Sequence, residues 1–115
     1  MNNFRELIVW QKSVDLVIRI YETISHFPES ERFNLTSQMQ RAGVSIPSNI
    51  AEGAGRKSAL VFKNHLSIAL GSSYELETQL VISKRLNYIN EENYDRLLKD
   101  ITEIQRMVHG LYSTL

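Results

Sequence analysis

Apolar residues recur at alternating spacings of three and four positions in four successive segments, which restricts the chain to an α-helical fold. No segment shows the strict apolar–polar alternation of a half-buried strand. Four amphipathic helices joined by short connections predict an all-α, antiparallel up-down-up-down four-helix bundle, formed as a single domain by residues 1–115. The predicted helices are 7–26, a second that begins between 30 and 36 and ends near 55, then 58–86 and 90–115.

The apolar stripe of each helix is the predicted core. The stripes are Leu7, Trp10, Val14, Val17, Tyr21 and Ile24; Leu35, Met39, Ala42, Ile46 and Ile50; Phe62, Leu66, Ala69, Ser73, Leu76 and Leu80; and Tyr94, Leu97, Ile101, Ile104, Val108, Leu111 and Leu115. Ser58 and Asn90 are predicted N-caps, because their side chains can accept a hydrogen bond from a first-turn N–H. Gly53 and Gly55 predict a helix end in the left-handed conformation. Charged residues at i,i+4 on the fourth helix, such as Asp95 and Lys99, predict ion pairs along its exposed side.

Composition excludes several classes of protein. The chain has no cysteine, so disulfides, thiolate catalysis and cysteine-ligated metals are excluded. Its formal net charge is zero, which argues against coating nucleic acid by overall charge but allows a local basic patch. The apolar runs are too short for a bilayer span and the first residues do not resemble a signal peptide, so we expect a cytoplasmic protein without membrane contact.

The second predicted helix contains an unusual, uncharged stretch around Pro47. Proline in a helix interior costs about 3 kcal/mol, and the neighbouring Gly43, Ser45 and Ser48 are poor helix formers. No charged residue occurs between positions 42 and 51, and none occurs between 64 and 74 of the third helix if His65 is neutral. The central parts of both helices therefore look buried on more than one side. This pattern favours a homo-oligomer over a monomer in which the gaps in charge are accidental.

The polar residues of this region predict a structural network rather than a catalytic site. A carboxylate on the apolar side of the third helix, Glu77, needs a partner if it is buried. The second helix offers hydroxyl and amide partners for it, and an arginine would also serve. The predicted oligomer and structural network consists of Ser45, Pro47, Ser48, Asn49, Glu52 and Glu77.

Metal, phosphate-loop and nucleophile chemistry find no support in residue spacing. None of the three histidines follows an acid by three positions, the spacing that di-iron bundles use, and Glu22–His26 is an isolated pair. The 53–58 stretch lacks the Gly-Lys-Ser/Thr order of a phosphate loop, so a helix stop followed by an N-cap explains it better. We therefore expect no catalytic residue, no metal and no cofactor. An enzyme would require a bound metal or a deep polar pocket.

Small basic groups remain as candidate nucleic-acid contacts. One copy of the chain carries few of them, but repetition around an oligomer would turn a small patch into a ring that contacts several phosphates. The candidate phosphate contacts are Arg41, Arg56 and Lys57, followed by Lys84 and Arg85.

Several segments of the sequence resemble a known family. They are residues 4–12, Phe27-Pro28, 35–38, the run Arg41-Ala-Gly-Val-Ser-Ile-Pro-Ser-Asn-Ile-Ala-Glu-Gly53, and Leu76-Glu-Thr-Gln-Leu80. Together they resemble the bacterial four-helix-bundle proteins encoded in 23S ribosomal RNA intervening sequences, a family similar to the accessory variability protein of diversity-generating retroelements. The resemblance implies a homopentamer that is not an enzyme and that binds RNA or DNA and a partner protein. The alternative is a protein-interaction scaffold with no nucleic-acid role.

Overall fold

Four α-helices follow one another along residues 3–115, the part of the chain that the computed structural model describes. They are α1 (Ile8–Ile24), α2 (Leu35–Ala54), α3 (Ala59–Arg85) and α4 (Glu91–Ser113). Single 3₁₀ turns at Phe4–Glu6 and Glu29–Glu31 precede α1 and α2. No strand is present within these described residues, which confirms the all-α prediction.

Each helix packs against its neighbours in the sequence, and α4 returns to pack against α1. This ring of contacts between successive helices, joined by short connections, gives the predicted up-down-up-down bundle. The molecule is elongated along the helix axes, with extents of 43 × 25 × 19 Å. One end of the bundle therefore carries the α2–α3 connection, and the other carries the connections from α1 to α2 and from α3 to α4.

The predicted apolar stripes of α2, α3 and α4 form the core. Met39, Ile46, Leu66 and Ile101 are fully buried, as are most other members of these stripes. At the ends of the stripes, Leu35, Tyr94 and Leu111 are partly buried against the core, while Leu115 is exposed. The spacing of three and four positions thus identifies the buried row of each of these three helices.

The stripe predicted for α1 is only partly correct. Ile24 is buried and Leu7 and Trp10 pack partly buried against the core, whereas Tyr21 is exposed. The most buried row is the adjoining one: Val9, Ser13, Leu16, Ile20 and Ile24. Apolar residues occupy two adjoining rows of α1, so spacing alone does not decide between them. Ser13 also makes the buried row hard to identify, because a polar residue occupies a core position. Its buried hydroxyl donates to the Val9 carbonyl oxygen over 2.6 Å.

The helix starts behave as predicted, but the glycine stop does not. The Ser58 hydroxyl accepts from the Val61 N–H over 3.2 Å, and the Asn90 side chain accepts from the Asn93 N–H over 2.8 Å. Gly55 ends α2 with φ −75° and ψ −11°, so the predicted left-handed conformation is wrong. Within residues 3–115, Asn87 is the residue with positive φ, in the turn after α3.

The structure shows ion pairs between α1 and α4 instead of the pairs predicted within α4. Lys12 Nζ lies 3.1 Å from Glu103 Oε1, and Arg19 Nη1 lies 2.9 Å from Asp100 Oδ2, so both pairs link α1 to α4. None of the predicted i,i+4 pairs of α4 forms in the described part of the chain. On α4, Asp100 and Glu103 therefore pair with cations of α1 and not with cations of their own helix.

A hydrogen bond fixes the loop end of the bundle. The Tyr88 hydroxyl donates to Glu31 Oε2 over 2.8 Å, which connects the turn before α2 to the turn after α3. The Tyr88 ring also packs against Phe27, with ring centroids 5.2 Å apart. Donation to the Glu31 carboxylate raises the pKa of Tyr88 above its ordinary value of 10.0, because the bond favours the protonated phenol.

Gly53 allows α2 and α3 to approach closely at the other end. A Cβ atom at this position would lie 2.7 Å from His65 Cβ and 2.9 Å from Phe62 Cδ1. Such distances are far shorter than van der Waals contact, so any larger side chain would force the helices apart. Gly53 is therefore a close-packing residue rather than the helix stop that the sequence predicted.

We expect Gly53→Ala to destabilise the protein by about 1–3 kcal/mol, the usual cost of overpacking a tight site. Gly110→Ala is the matched control, because Gly110 is also helical but has no atom within 4 Å of its added Cβ. Relief of glycine flexibility should stabilise that variant by about 0.5–1 kcal/mol. Urea unfolding of both variants measures the difference, and equal stabilities would contradict a close approach at Gly53.

Candidate nucleic-acid and self-association surface

A chain of polar side chains connects α2 to α3, and we call it the polar seam: Ser45, Asn49 and Glu52 of α2 with His65 and Ser72 of α3. The Ser72 hydroxyl donates to Ser45 Oγ over 2.8 Å. Asn49 Nδ2 donates to the carbonyl oxygen and the Oγ of Ser45, over 2.9 and 3.0 Å. Ser45 thus links the two helices at the centre of their contact.

His65 continues the polar seam toward the α2–α3 connection. Its Nδ1 lies 3.0 Å from Asn49 Oδ1, and its Nε2 lies 3.6 Å from Glu52 Oε2. Because Asn49 already uses its Nδ2 on Ser45, its Oδ1 faces the ring, so His65 Nδ1 carries the hydrogen. Asn49 stands between the imidazole and the serine hydroxyls, an order that lacks the direct nucleophile–base contact of a hydrolase.

The sequence predicts only some of the residues of the polar seam. Ser45 and Asn49 of the predicted network are hydrogen-bonded to each other, and Asn49 Oδ1 lies 3.0 Å from His65 Nδ1. Glu52 lies at ion-pair distance from the same imidazole, 3.6 Å from its Nε2. Ser72 and His65 were missed as partners. Their sequence signal is weak: Ser72 belongs to a run of small residues, and His65 lies seven positions before it, two turns away on the same side of α3.

Three members of the predicted network lie outside the seam. Pro47 is buried inside α2, which continues through it from Leu35 to Ala54 as one helix instead of breaking. Ser48 is exposed on the outer side of α2. Glu77 accepts a hydrogen bond from Gln105 Nε2 over 2.9 Å on the α3–α4 side. The expected partners of Glu77 on α2 are therefore wrong, because Glu77 lies on the opposite side of α3 from the seam.

The candidate phosphate contacts lie in three separate places along the bundle. Arg56 and Lys57 lie together beside the α2–α3 connection, whereas Lys84 and Arg85 end α3. Because α3 has 27 residues, these two pairs are about 40 Å apart. Arg41 lies between them, in an open groove of about 390 Å³ that it shares with Gln38, Ala42, Ser45, Ser72 and Glu75.

Two of these five cations are paired with carboxylates, and three are not. Arg56 lies 3.4 Å from Glu52 on its own helix, and Lys84 lies 2.9 Å from Glu91. Arg41, Lys57 and Arg85 are exposed and form no salt bridge within residues 3–115. One chain thus presents scattered unpaired cations instead of a single basic patch.

The outer sides of α2 and α3 carry exposed residues without charge, and we call them the uncharged face: Val44 and Ser48 of α2 with Asn64, Ile68 and Gly71 of α3. Ile68 is 52% exposed. No Lys, Arg, Asp or Glu lies between Arg41 and Glu52 or between Lys63 and Glu75. These helices were expected to be buried on more than one side, but within one chain the uncharged face is open to solvent. The α1–α4 side, in contrast, is covered by cross-helix ion pairs.

Two further features can be stated for the part of the chain that is described. No helix combines the length and the apolar character needed to span a bilayer. No three His, Asp or Glu side chains come together as a set of metal ligands.

The sequential packing of the helices and the small-residue contact between α2 and α3 define an up-down four-helix bundle. The family model described as 23S rRNA-intervening sequence protein matches residues 5–110, and the chain belongs to this family. It is similar to a crystal structure from Bacteroides thetaiotaomicron VPI-5482, a protein with unknown function from the S23 ribosomal protein family. That match has 32% sequence identity and a TM-score of 0.85, and it covers 92% of this chain and 96% of the other. No curated protein matches the chain significantly.

Asn49→Ala should destabilise the protein by about 1–3 kcal/mol, because it removes the amide that joins Ser45 to His65 and leaves partly buried groups unpaired. Asn34→Ala is the control, since Asn34 is exposed before α2, its side chain forms no capping hydrogen bond, and it belongs neither to the seam nor to the uncharged face. Its effect should stay within about 0.5 kcal/mol. Urea unfolding compares the two, and an equal effect would show that the seam does not hold the helices together.

Proposed function

We propose that the protein is a non-enzymatic homo-oligomer that binds RNA as an accessory factor. The observation that carries this proposal is the uncharged face, which stays exposed in one chain although it contains Val44 and Ile68. Exposed apolar surface that is free of charge over several helical turns is characteristic of protein contact surfaces. A second copy of the same chain is the partner that is always available to cover it.

The difference in charge between the two sides of the bundle supports self-association through α2 and α3. The Lys12–Glu103 and Arg19–Asp100 pairs keep the α1–α4 side charged and hydrated. Burial of such pairs would carry a desolvation cost, whereas burial of Val44, Ser48 and Ile68 would not remove a charge from water. The assembly therefore uses α2 and α3 and leaves α1 and α4 outside. The resemblance noted for the sequence suggests five copies.

RNA binding follows from repetition of the small basic groups. Arg56 and Lys57 lie at one end of the bundle, so a closed ring of chains carries several copies of this pair around one rim. Each copy contributes only a weak contact, but linked contacts to one nucleic acid strengthen one another without high net charge per chain. The family description, which refers to 23S rRNA, supports RNA as the first ligand to test.

A protein-interaction scaffold is the second candidate. It is favoured by the formal net charge of zero and by the Glu52–Arg56 pair, which neutralises one of the cations at the rim. A scaffold would use the same assembly but would not bind RNA even at low salt.

Ile68→Glu should dissociate the assembly, because it places a charge in the uncharged face. Ile18→Glu on α1 is the matched control, since the two isoleucines are 52% and 56% exposed in one chain. Light scattering should give five times the 13.3 kDa chain mass for the wild type and for Ile18→Glu, and the single-chain mass for Ile68→Glu. A wild-type particle of one chain mass would refute self-association.

Arg56→Glu combined with Lys57→Glu should weaken binding of structured RNA about tenfold or more and should reduce its salt dependence, because fewer counterions are released. Arg96→Glu with Lys99→Glu on the exposed side of α4 makes the same change in net charge and should have a much smaller effect. Fluorescence anisotropy over a range of salt concentrations measures both quantities. Absence of wild-type binding at low salt would instead support the scaffold.

A further inference from the structure

Two exposed tyrosines lie in the groove between α3 and α4, on the side of α3 away from the polar seam. The Tyr74 hydroxyl lies 3.4 Å from His109 Nε2. Lys63 Nζ lies 5.5 Å from the centroid of the Tyr112 ring. We call these four residues the tyrosine groove. Tyr74 is 48% exposed and Tyr112 is 41% exposed, so both rings remain accessible although both have a polar or cationic neighbour.

Helix geometry aligns these residues in two facing rows. Lys63 and Tyr74 are 11 positions apart on α3, which is about three turns or 16 Å. His109 and Tyr112 are three positions apart on α4 and thus share one side of that helix. The antiparallel packing of α3 and α4 places the two rows side by side, with the Gln105–Glu77 hydrogen bond at one end of the groove.

Charge is distributed unevenly along the tyrosine groove. Residues 53–74, which lead from the α2–α3 connection into α3, contain Arg56, Lys57 and Lys63 and no Asp or Glu. Glu77 lies at the other end of the groove, beyond Tyr74. The end formed by Lys63 and Tyr112 is therefore the cationic end, which suits a polyanion.

We propose that the tyrosine groove binds unpaired RNA, with Tyr74 and Tyr112 stacking on bases and Lys63 contacting a phosphate. Alternation of exposed aromatic rings with cations is the arrangement by which proteins hold single strands, because every base offers a face for stacking and every linkage offers a charge. An acidic peptide would satisfy the cations alone and would leave the ring faces unused. This inference rests on the proposed RNA-binding function and adds the site and the form of the ligand.

The tyrosine groove is compatible with the proposed assembly. Ile68 lies about 120° from Tyr74 and about 140° from Lys63 around the axis of α3, whose Tyr74 side packs against α4. Contact between copies that is centred on Ile68 thus leaves the tyrosine groove open.

The opposite end of the bundle provides a matched control. Phe33 is 82% exposed, and the Arg32 guanidinium carbon lies 5.2 Å from its ring centroid, so it is also an exposed ring beside a cation. Glu29 pairs with Arg32 over 3.4 Å, and Glu31 lies in the same turn. These carboxylates repel phosphate, so we expect no RNA contact at Phe33.

The experiment measures binding of a fluorescein-labelled oligoadenylate, alone and in a duplex with oligouridylate, over a range of salt concentrations. Tyr74→Leu and Tyr112→Leu should each weaken binding of the single strand about tenfold and leave its salt dependence unchanged, because a stacking contact releases no counterion. Lys63→Gln should weaken binding and also reduce the salt dependence. Phe33→Leu should bind like the wild type. Circular dichroism checks that each variant keeps its helices.

The outcomes separate this inference from the proposed function. If the wild type binds the single strand and the two tyrosine variants bind it equally well, the tyrosine groove is refuted while RNA binding stands. Equal binding of the duplex, or equal binding of an oligoglutamate competitor, would also refute stacking on unpaired bases. If the wild type binds no RNA at all, the proposed function fails, and the groove fails with it.

Discussion

The close contact between α2 and α3 determines how the rest of the molecule is arranged. The missing side chain of Gly53 lets the backbone of α2 lie against Phe62 and His65, and small residues maintain the approach at Ser45 and Ser72. Short polar side chains can then reach one another across the contact, which is why the polar seam forms there. Two helices packed this closely present their outer sides as one broad surface, and that surface is the uncharged face.

The composition of α2 is understandable only in terms of this packing. Pro47 in a helix interior costs about 3 kcal/mol, and nearby glycine and serine add smaller penalties. Complete burial of Met39, Ile46 and Ile50 opposes that cost, since each large apolar side chain contributes about 1.5–3 kcal/mol on burial. The helix therefore persists through Pro47 because of tertiary contacts rather than local preference.

Sequence periodicity predicts the buried rows of α2, α3 and α4 and only part of the buried row of α1, where apolar residues occupy two adjoining rows. The core rows of α2, α3 and α4 and the Ser58 and Asn90 caps follow from local spacing. Contacts between side chains of different helices do not follow from local spacing, because they depend on how the neighbouring helices are aligned. The α1 row, the Gln105 partner of Glu77 and the His65 link in the polar seam are all of this kind. The sequence thus indicates the uncharged stretches of α2 and α3, but not the contacts that the polar seam makes between the two helices.

Net charge is a poor guide to ligand binding in a molecule of this shape. Zero net charge does not exclude RNA binding, because carboxylates at one end of the 43 Å bundle lie several screening lengths of about 8 Å from cations at the other end. An RNA strand bound at Lys63, as we propose, would therefore respond to that cation and hardly at all to Glu29 and Glu31 at the far end. Assembly would strengthen this effect, since parallel copies place like ends together. In the proposed assembly, ligand choice would then depend on which end of the bundle is presented more than on the composition of the chain.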